Sequence, residues 1–449
     1  MTSESAVKPR ASFAESFAVY LKPRVLIVLF LGFSSGLPLA LSGSTLLVWM
    51  RESGVDLGTI GLFALVGTPY TIKFLWAPVV DALDVPVLAK LLGRRRGWLI
   101  FAQLLLIAAI VFLTFTNPAA APGLVAFGAL LVATASATQD IVIDAFRIDT
   151  LDESEQAAGM ASYVAAYRIG TLVSTAGALY IVTGFESGLG FDRQTAWTFG
   201  YLAMALMVVI GIITTLLATN PEKESGGAIE DPQGGRLARV WKAAMGAFSE
   251  FLTRDSATLI LVFVILYKFC DAFAGTMTTP FIIDLGFSRT DYANIVKGVG
   301  LAATLIGGFA GGAVARALPL TTCLWIGAIL QSVSNLVFVW LAQAGTNTWA
   351  LTAAVIAENF TGAIGTVIFV AYISALCKNP LHTATQFALL TALSAFGRTY
   401  LSAGAGFVAE AVGWQVFYIL SVVVAVPSFI LLAWLQVRGH FRSLETKAA

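Results

Sequence analysis

TNPEKESGGAIEDPQGG occupies residues 219–235 of a chain that is 58% hydrophobic and only 12% charged. Soluble domains carry about a quarter charged residues, so this polar, glycine-rich run is foreign to its surroundings and reads as a linker. Outward from it lie apolar runs of about 18 to 26 residues, each enough to cross a hydrocarbon core of about 30 Å. About six precede the linker and about six follow it. The expected fold is an all-α polytopic membrane protein with about twelve transmembrane helices in two six-helix repeats. The boundaries place an N-terminal segment at 1–24, a six-helix bundle at 25–218, the linker at 219–256, a second bundle at 257–437 and a tail at 438–449.

Charge orients the chain. With the N-terminus inside, the inner loops collect Lys8, Arg10, Lys22, Arg24, Lys90, Arg94, Arg95, Arg96, Arg147, the linker's basic residues, Arg316, Lys378, Arg438, Arg442 and Lys447. The outer loops hold Arg51, Arg193 and Arg289. The positive-inside rule then predicts both termini in the cytoplasm. No small-residue cleavage pattern follows the first span, which is read as retained. Cys270, Cys323 and Cys377 lack paired spacing and read as packing residues, without a metal or disulfide. No cofactor is expected. A net charge of +1 gives no reason to expect a nucleic-acid partner, and the lipid bilayer is the surrounding medium.

The halves resemble one another. Gln156, Ala158 and Arg168 in the fifth span answer Gln386, Ala388 and Arg398 in the eleventh, at 384–411, with an offset of 230. Parallel repeats of this kind place a transport site between the halves near mid-membrane.

Five basic residues fall inside spans: Lys73, Arg168, Lys268, Lys297 and Arg398. Left in lipid they would cost on the order of 12–18 kcal/mol together, so they must face a cavity or be paired. The acids available are Asp81, Asp140, Asp144, Asp271 and Glu358. Lys268 and Asp271, three apart on one helix, read as a structural pair. Lys73, Arg168, Lys297 and Arg398 remain as partners for anionic substrate groups, with a structural network as the alternative for Arg168 and Arg398.

The stretch SATQDIVIDAFRIDTL (136–151) places Asp140, Asp144 and Arg147 along one helix face. Asp144 and Arg147, near the inner surface, fit a gate with Asp81 and Arg94, Arg95 and Arg96. Asp140 lies about one turn deeper and is a candidate proton carrier. Glu358, without a local base, is the second, because burial disfavours the charged form of a carboxylate. The only histidines, His382 and His440, fall in loop and tail. Gly36 and Pro38 interrupt the first span beside protein or a cavity. Gly307-Gly308-Phe309-Ala310-Gly311-Gly312 overlays two small-xxx-small packing patterns. An intramembrane enzyme using Asp140 and Asp144 is the alternative reading. Against it, no Gly-Xaa-Ser-Xaa-Gly, HExxH or Walker pattern is present, and two similar halves exceed what such a site needs.

GTPYTIKFLWAPVVD (67–81), GRRRGW (93–98), SGLPLALSGSTL (35–46), SATQDIVIDAFRIDTL (136–151), LYKFCDAFAG (266–275), ENFTGAIGT (358–366) and ATQFALLTALSAFGR (384–398) together resemble the AmpG muropeptide permeases of the major facilitator superfamily. The resemblance covers nearly the whole chain and extends, more distantly, to acetyl-CoA transporters. It implies a major facilitator fold and import of anionic anhydromuropeptides, products of cell-wall turnover, across the bacterial inner membrane by proton symport. A single chain is expected to act as a monomer. Another large organic anion, such as acetyl-CoA or a sugar phosphate, is the alternative cargo.

Overall fold

Lipid offers a polypeptide no hydrogen-bond partners, so each apolar run must satisfy its own backbone, and a helix does this within one segment. The structure, a computed structural model, describes residues 19–152, 155–219, 256–376 and 383–445. Residues 1–18, the body of the expected linker, Cys377, Lys378, His382 and Lys447 lie outside them.

Among the described residues, eleven helical stretches are long and apolar enough to cross a membrane. They are α1 Pro23–Glu52, α2 Leu57–Leu75, α3 Arg94–Thr114, α4 Pro122–Thr150, α5 Ala158–Gly188, α6 Arg193–Leu217, α7 Ala257–Asp284, α8 Arg289–Ala315, α9 Leu320–Ala344, α10 Thr348–Leu376 and α12 Trp414–Val437. Between the last two lies α11, in which Thr383–Tyr400 continues through the tight turn Leu401–Gly404 into Ala405–Val412. It covers the expected eleventh span, but its threonines, serines, glycines and Arg398 leave it less apolar than the rest. The second span, α2, stops at Leu75, and a separate short helix, Ala77–Ala82, opens on Pro78, where proline's missing N–H is harmless.

The pairings of the first half recur in the second. In the first, α1 packs on α5, and α3 on α4 and α6; in the second, α7 packs on α11, and α9 on α10 and α12. Close approach explains two of the glycines. A Cβ at Gly36 would collide with the Tyr167 carbonyl of α5. In α8, Gly307 and Gly311 lie against Phe360 and Ile364 of α10, whereas Gly308 and Gly312 face open space. One of the two overlaid glycine patterns therefore makes the packing, not both.

The first span runs helical through Pro38 and breaks one turn later, at Leu41–Thr45, where Gly43 leaves the helical region. Ser42 Oγ donates to the Pro38 carbonyl at 2.9 Å and steadies the break.

Among the described residues, the core joins the halves on one side. Toward the side away from the termini, called the far side, one continuous apolar cluster runs from Trp49, Trp197 and Tyr201 to Phe281, Phe338 and Tyr418. Trp49 stacks on Trp197 with centroids 5.7 Å apart. Toward the terminus side the core divides, with Leu31, Leu99 and Phe146 in one cluster and Phe263, Leu324 and Tyr372 in another.

Candidate functional site

Where the halves meet, three helices widen. Leu41–Thr45 of α1, Val173–Gly177 of α5 and Tyr292–Val299 of α8 take π-type turns, and the α5 segment touches both others. Widened turns leave backbone groups without their usual partners, which membrane proteins tolerate where the backbone lines a cavity.

Two cavities lie there. One, of about 410 Å³, is bordered by both halves and presents Ser42, Tyr70, Thr276, Tyr292, Lys297 and Glu358. The Lys297 ammonium sits 5.3 Å from the centre of the Tyr292 ring, a cation–π distance, and the Tyr292 hydroxyl bonds to Thr279 at 2.8 Å. The second, of about 590 Å³, sets Arg168 of α5 against Asp271, Thr304, Glu358 and Thr366 of the second half. Glu358 and Asn359 line both. Asn359 fixes this shared wall, donating from Nδ2 to Glu358 Oε2 at 2.6 Å and accepting from Thr304 at 3.1 Å. Glu358 also feels the charges of Asp271, Lys268 and Lys297.

Lys268 reaches Asp271 at 2.7 Å and donates to Gln331 at 2.6 Å and Thr366 at 3.1 Å. Nothing in the local sequence marks Gln331, a buried glutamine of α9, as its partner. Asp140 lies apart from both cavities described, accepting a 2.5 Å hydrogen bond from Ser35 Oγ, which contacts the Tyr163 hydroxyl at 2.9 Å. The charges of Lys73 and Asp144 also act on it. Lys73 lines neither of the two cavities, and neither does Arg398, which is exposed.

At the terminus side, Arg95 pairs with Asp149 at 3.0 Å, both side chains 8% exposed. Arg96 donates to the carbonyls of Thr215 and Leu216, and Arg147 meets Asp144 at 3.7 Å. These contacts tie α3, α4 and α6 within the first half. Arg94 lies at the start of α3; the Asp81 side chain falls outside the described part. Lys22 also donates to Glu155 at 2.7 Å. That bond holds the Glu155 carboxyl below the usual glutamate range, against the opposing effect of burial.

The far side carries a network that joins the halves. Arg289, 9% exposed, binds Glu52 at 2.5 Å and also Glu186; Arg193 reaches Glu186 at 3.4 Å. Arg51 engages Asp284, which accepts from Trp414 Nε1 at 3.1 Å, and Glu410 accepts from the Gly58 N–H at 3.3 Å. The three cations that the charge count places in outer loops are thus the cations of this latch.

Two repeats of six helices, joined at one side around a charged chamber, match a known profile: that of the Major Facilitator Superfamily fits residues 28–399. The chain belongs to the Major Facilitator Superfamily. This facilitator is 41% identical over 415 residues to the anhydromuropeptide permease of Escherichia coli strain K12, covering 92% of this chain and 80% of that one. It is 34% identical over 416 residues to a protein named transporter AmpG 4 from Rickettsia felis, covering 92% and 96%. Among solved structures, the nucleoside transporter NupG superposes with a TM-score of 0.69 at 13% identity, covering 91% and 99%. A POT family transporter in complex with a thioalcohol-conjugated peptide gives 0.67 at 13%, covering 92% and 96%. At those identities the likeness is one of fold. As a facilitator, the chain is a membrane transporter and not an enzyme. Its arrangement suits one chemical task, which is to offer cations, carboxylates and hydroxyls to a polar solute between two halves that separate on either side in turn.

Proposed function

We propose that this facilitator imports anhydromuropeptides across the bacterial inner membrane by proton-coupled alternating access. Both termini face the cytoplasm, and one chain is the working unit. The carrying observation is the pair of charged cavities between the halves, presenting Lys297 and Arg168 together with Glu358 and Asp271. Buried charges are too costly to keep without a task or a partner. The name of the 41% identical Escherichia coli relative supports this cargo, and the excess of Lys and Arg in the loops on the terminus side supports the orientation.

In this reading Lys297 and Arg168 attract substrate carboxylates. Lys73 and Arg398, outside both cavities here, serve substrate or proton movement in another conformation. Glu358 carries a proton at the wall shared by the cavities, and Asp140 carries one beside Ser35 and Tyr163. Lys268 and Asp271 hold α7 to α9 and α10. Asp81, Arg94–Arg96, Asp144 and Arg147 form the inner gate.

Uptake into proteoliposomes checks the cargo. Labelled anhydromuropeptide is expected to enter and to be displaced by unlabelled anhydromuropeptide, but not by a coenzyme A thioester or a sugar phosphate. Equal displacement by those anions would transfer the reading to a general organic-anion carrier.

A further inference from the structure

The two cavities differ in chemistry although they share a wall. The first is lined by hydroxyls, rings and aliphatic side chains, with Ser42, Tyr70, Thr276 and Tyr292 beside one cation, Lys297, and with the Glu358 carboxylate at the shared wall, both charges coming from the second half. Such a lining suits a sugar, whose many hydroxyls need donors and acceptors and whose faces pack on rings. The second has no tyrosine in its lining and mixes signs across the gap between the halves. Arg168 projects from α5, and Asp271 and Glu358 face it from α7 and α10. Asp271 spends Oδ2 on Lys268 at 2.7 Å. Its Oδ1 would stand 3.6 Å from a Cβ at Gly362, and Asp271 and Gly362 both line this cavity. A cavity with a guanidinium on one wall and carboxylate oxygens on the other is matched poorly by a plain polyanion. It is matched well by a group that carries both a carboxylate and an ammonium.

We propose that the substrate is bound in two parts: its glycan in the Lys297 cavity, and a zwitterionic, amine-bearing peptide stem in the Arg168–Asp271 cavity, with Glu358–Asn359 at the junction. The proposal rests on the import reading above and deepens it. Because Arg168 belongs to one half and Asp271 to the other, the stem bridges the halves, whereas the glycan alone leaves Arg168 unengaged.

The test compares two labelled probes, a peptide-free anhydrodisaccharide and the same disaccharide bearing a peptide with a free amine, in proteoliposomes of the full chain. Wild type is expected to take up both. Arg168→Gln should raise the half-saturating concentration of the peptide-bearing probe by a factor about tenfold larger than that of the peptide-free probe. Gly362→Leu, which fills the second cavity without changing charge, should do the same. Continued uptake of the peptide-free probe shows that each variant is folded, and blocking the peptide's amine by acetylation should reproduce the loss in wild type. Equal weakening of both probes by both substitutions, or no weakening of either, overturns the two-part arrangement. Uptake of neither probe by wild type would instead overturn the import reading itself.

Discussion

Arg289 is the residue on which the far side turns. It sits 9% exposed between two carboxylates, Glu52 and Glu186. Removing one member of such a cluster strands the others, which is costlier than deleting the whole set. In a chain whose native cysteines are replaced by serine, Thr278→Cys places a thiol on the wall of the Lys297 cavity. Arg289→Gln should increase its labelling by a membrane-impermeant thiol reagent from the far side severalfold, and unchanged labelling would mean that the latch does not hold that side shut. At the terminus side the residue to test is Glu155. Its carboxyl is held below the ordinary value of 4.5, chiefly by Lys22. A depressed carboxylate stabilises the fold above its unfolded value and loses that contribution as pH falls through its folded one. Lys22 is half exposed, so screening limits the pair to about 0.2–1 kcal/mol. Glu155→Gln should therefore lower the melting temperature in detergent slightly at pH 7, with the difference shrinking as the pH falls below the ordinary value of 4.5 and through the lower folded one. A difference that persisted at low pH would point to packing instead. Residue-scale chemistry is legible in sequence where partners are near: Lys268 and Asp271 share a helix face by spacing alone. Arg51 and Asp284 lie 233 residues apart, and no local pattern announces that they meet.

At the scale of elements, α8 shows what periodicity leaves open. Its glycine run contains two interleaved packing faces, and only the fold tells which one meets α10. Gly307→Leu should force a side chain into the Phe360 carbonyl and cost about 1–3 kcal/mol, whereas Gly308→Leu, facing open space, should be tolerated. Comparing the two melting temperatures checks this, and equal losses would contradict the assigned face. The kink of α1 follows the same lesson. Pro38 is visible in the sequence, yet the helix breaks at Gly43 because the chain continues through proline and yields at the next residue lacking a Cβ. The length of α11 is legible but its modest apolarity disguises it. Its polar residues stay inexpensive where they face other helices rather than lipid.

For the whole molecule, the division into two sets of six follows from one polar stretch, but which side is closed does not. Closure depends on the far-side latch and on a core that is single at that side and divided at the other. A transporter latched on one side and parted on the other is one of the two states that alternating access requires. In the proposed cycle this alternation carries anhydromuropeptide inward at the expense of a proton gradient. The most direct measurement is uptake of labelled anhydromuropeptide into proteoliposomes under an imposed pH gradient, acidic outside. Accumulation above the external concentration, collapsing when a protonophore is added, is the predicted result; accumulation that survives the protonophore, or uptake that never exceeds equilibration, would contradict it.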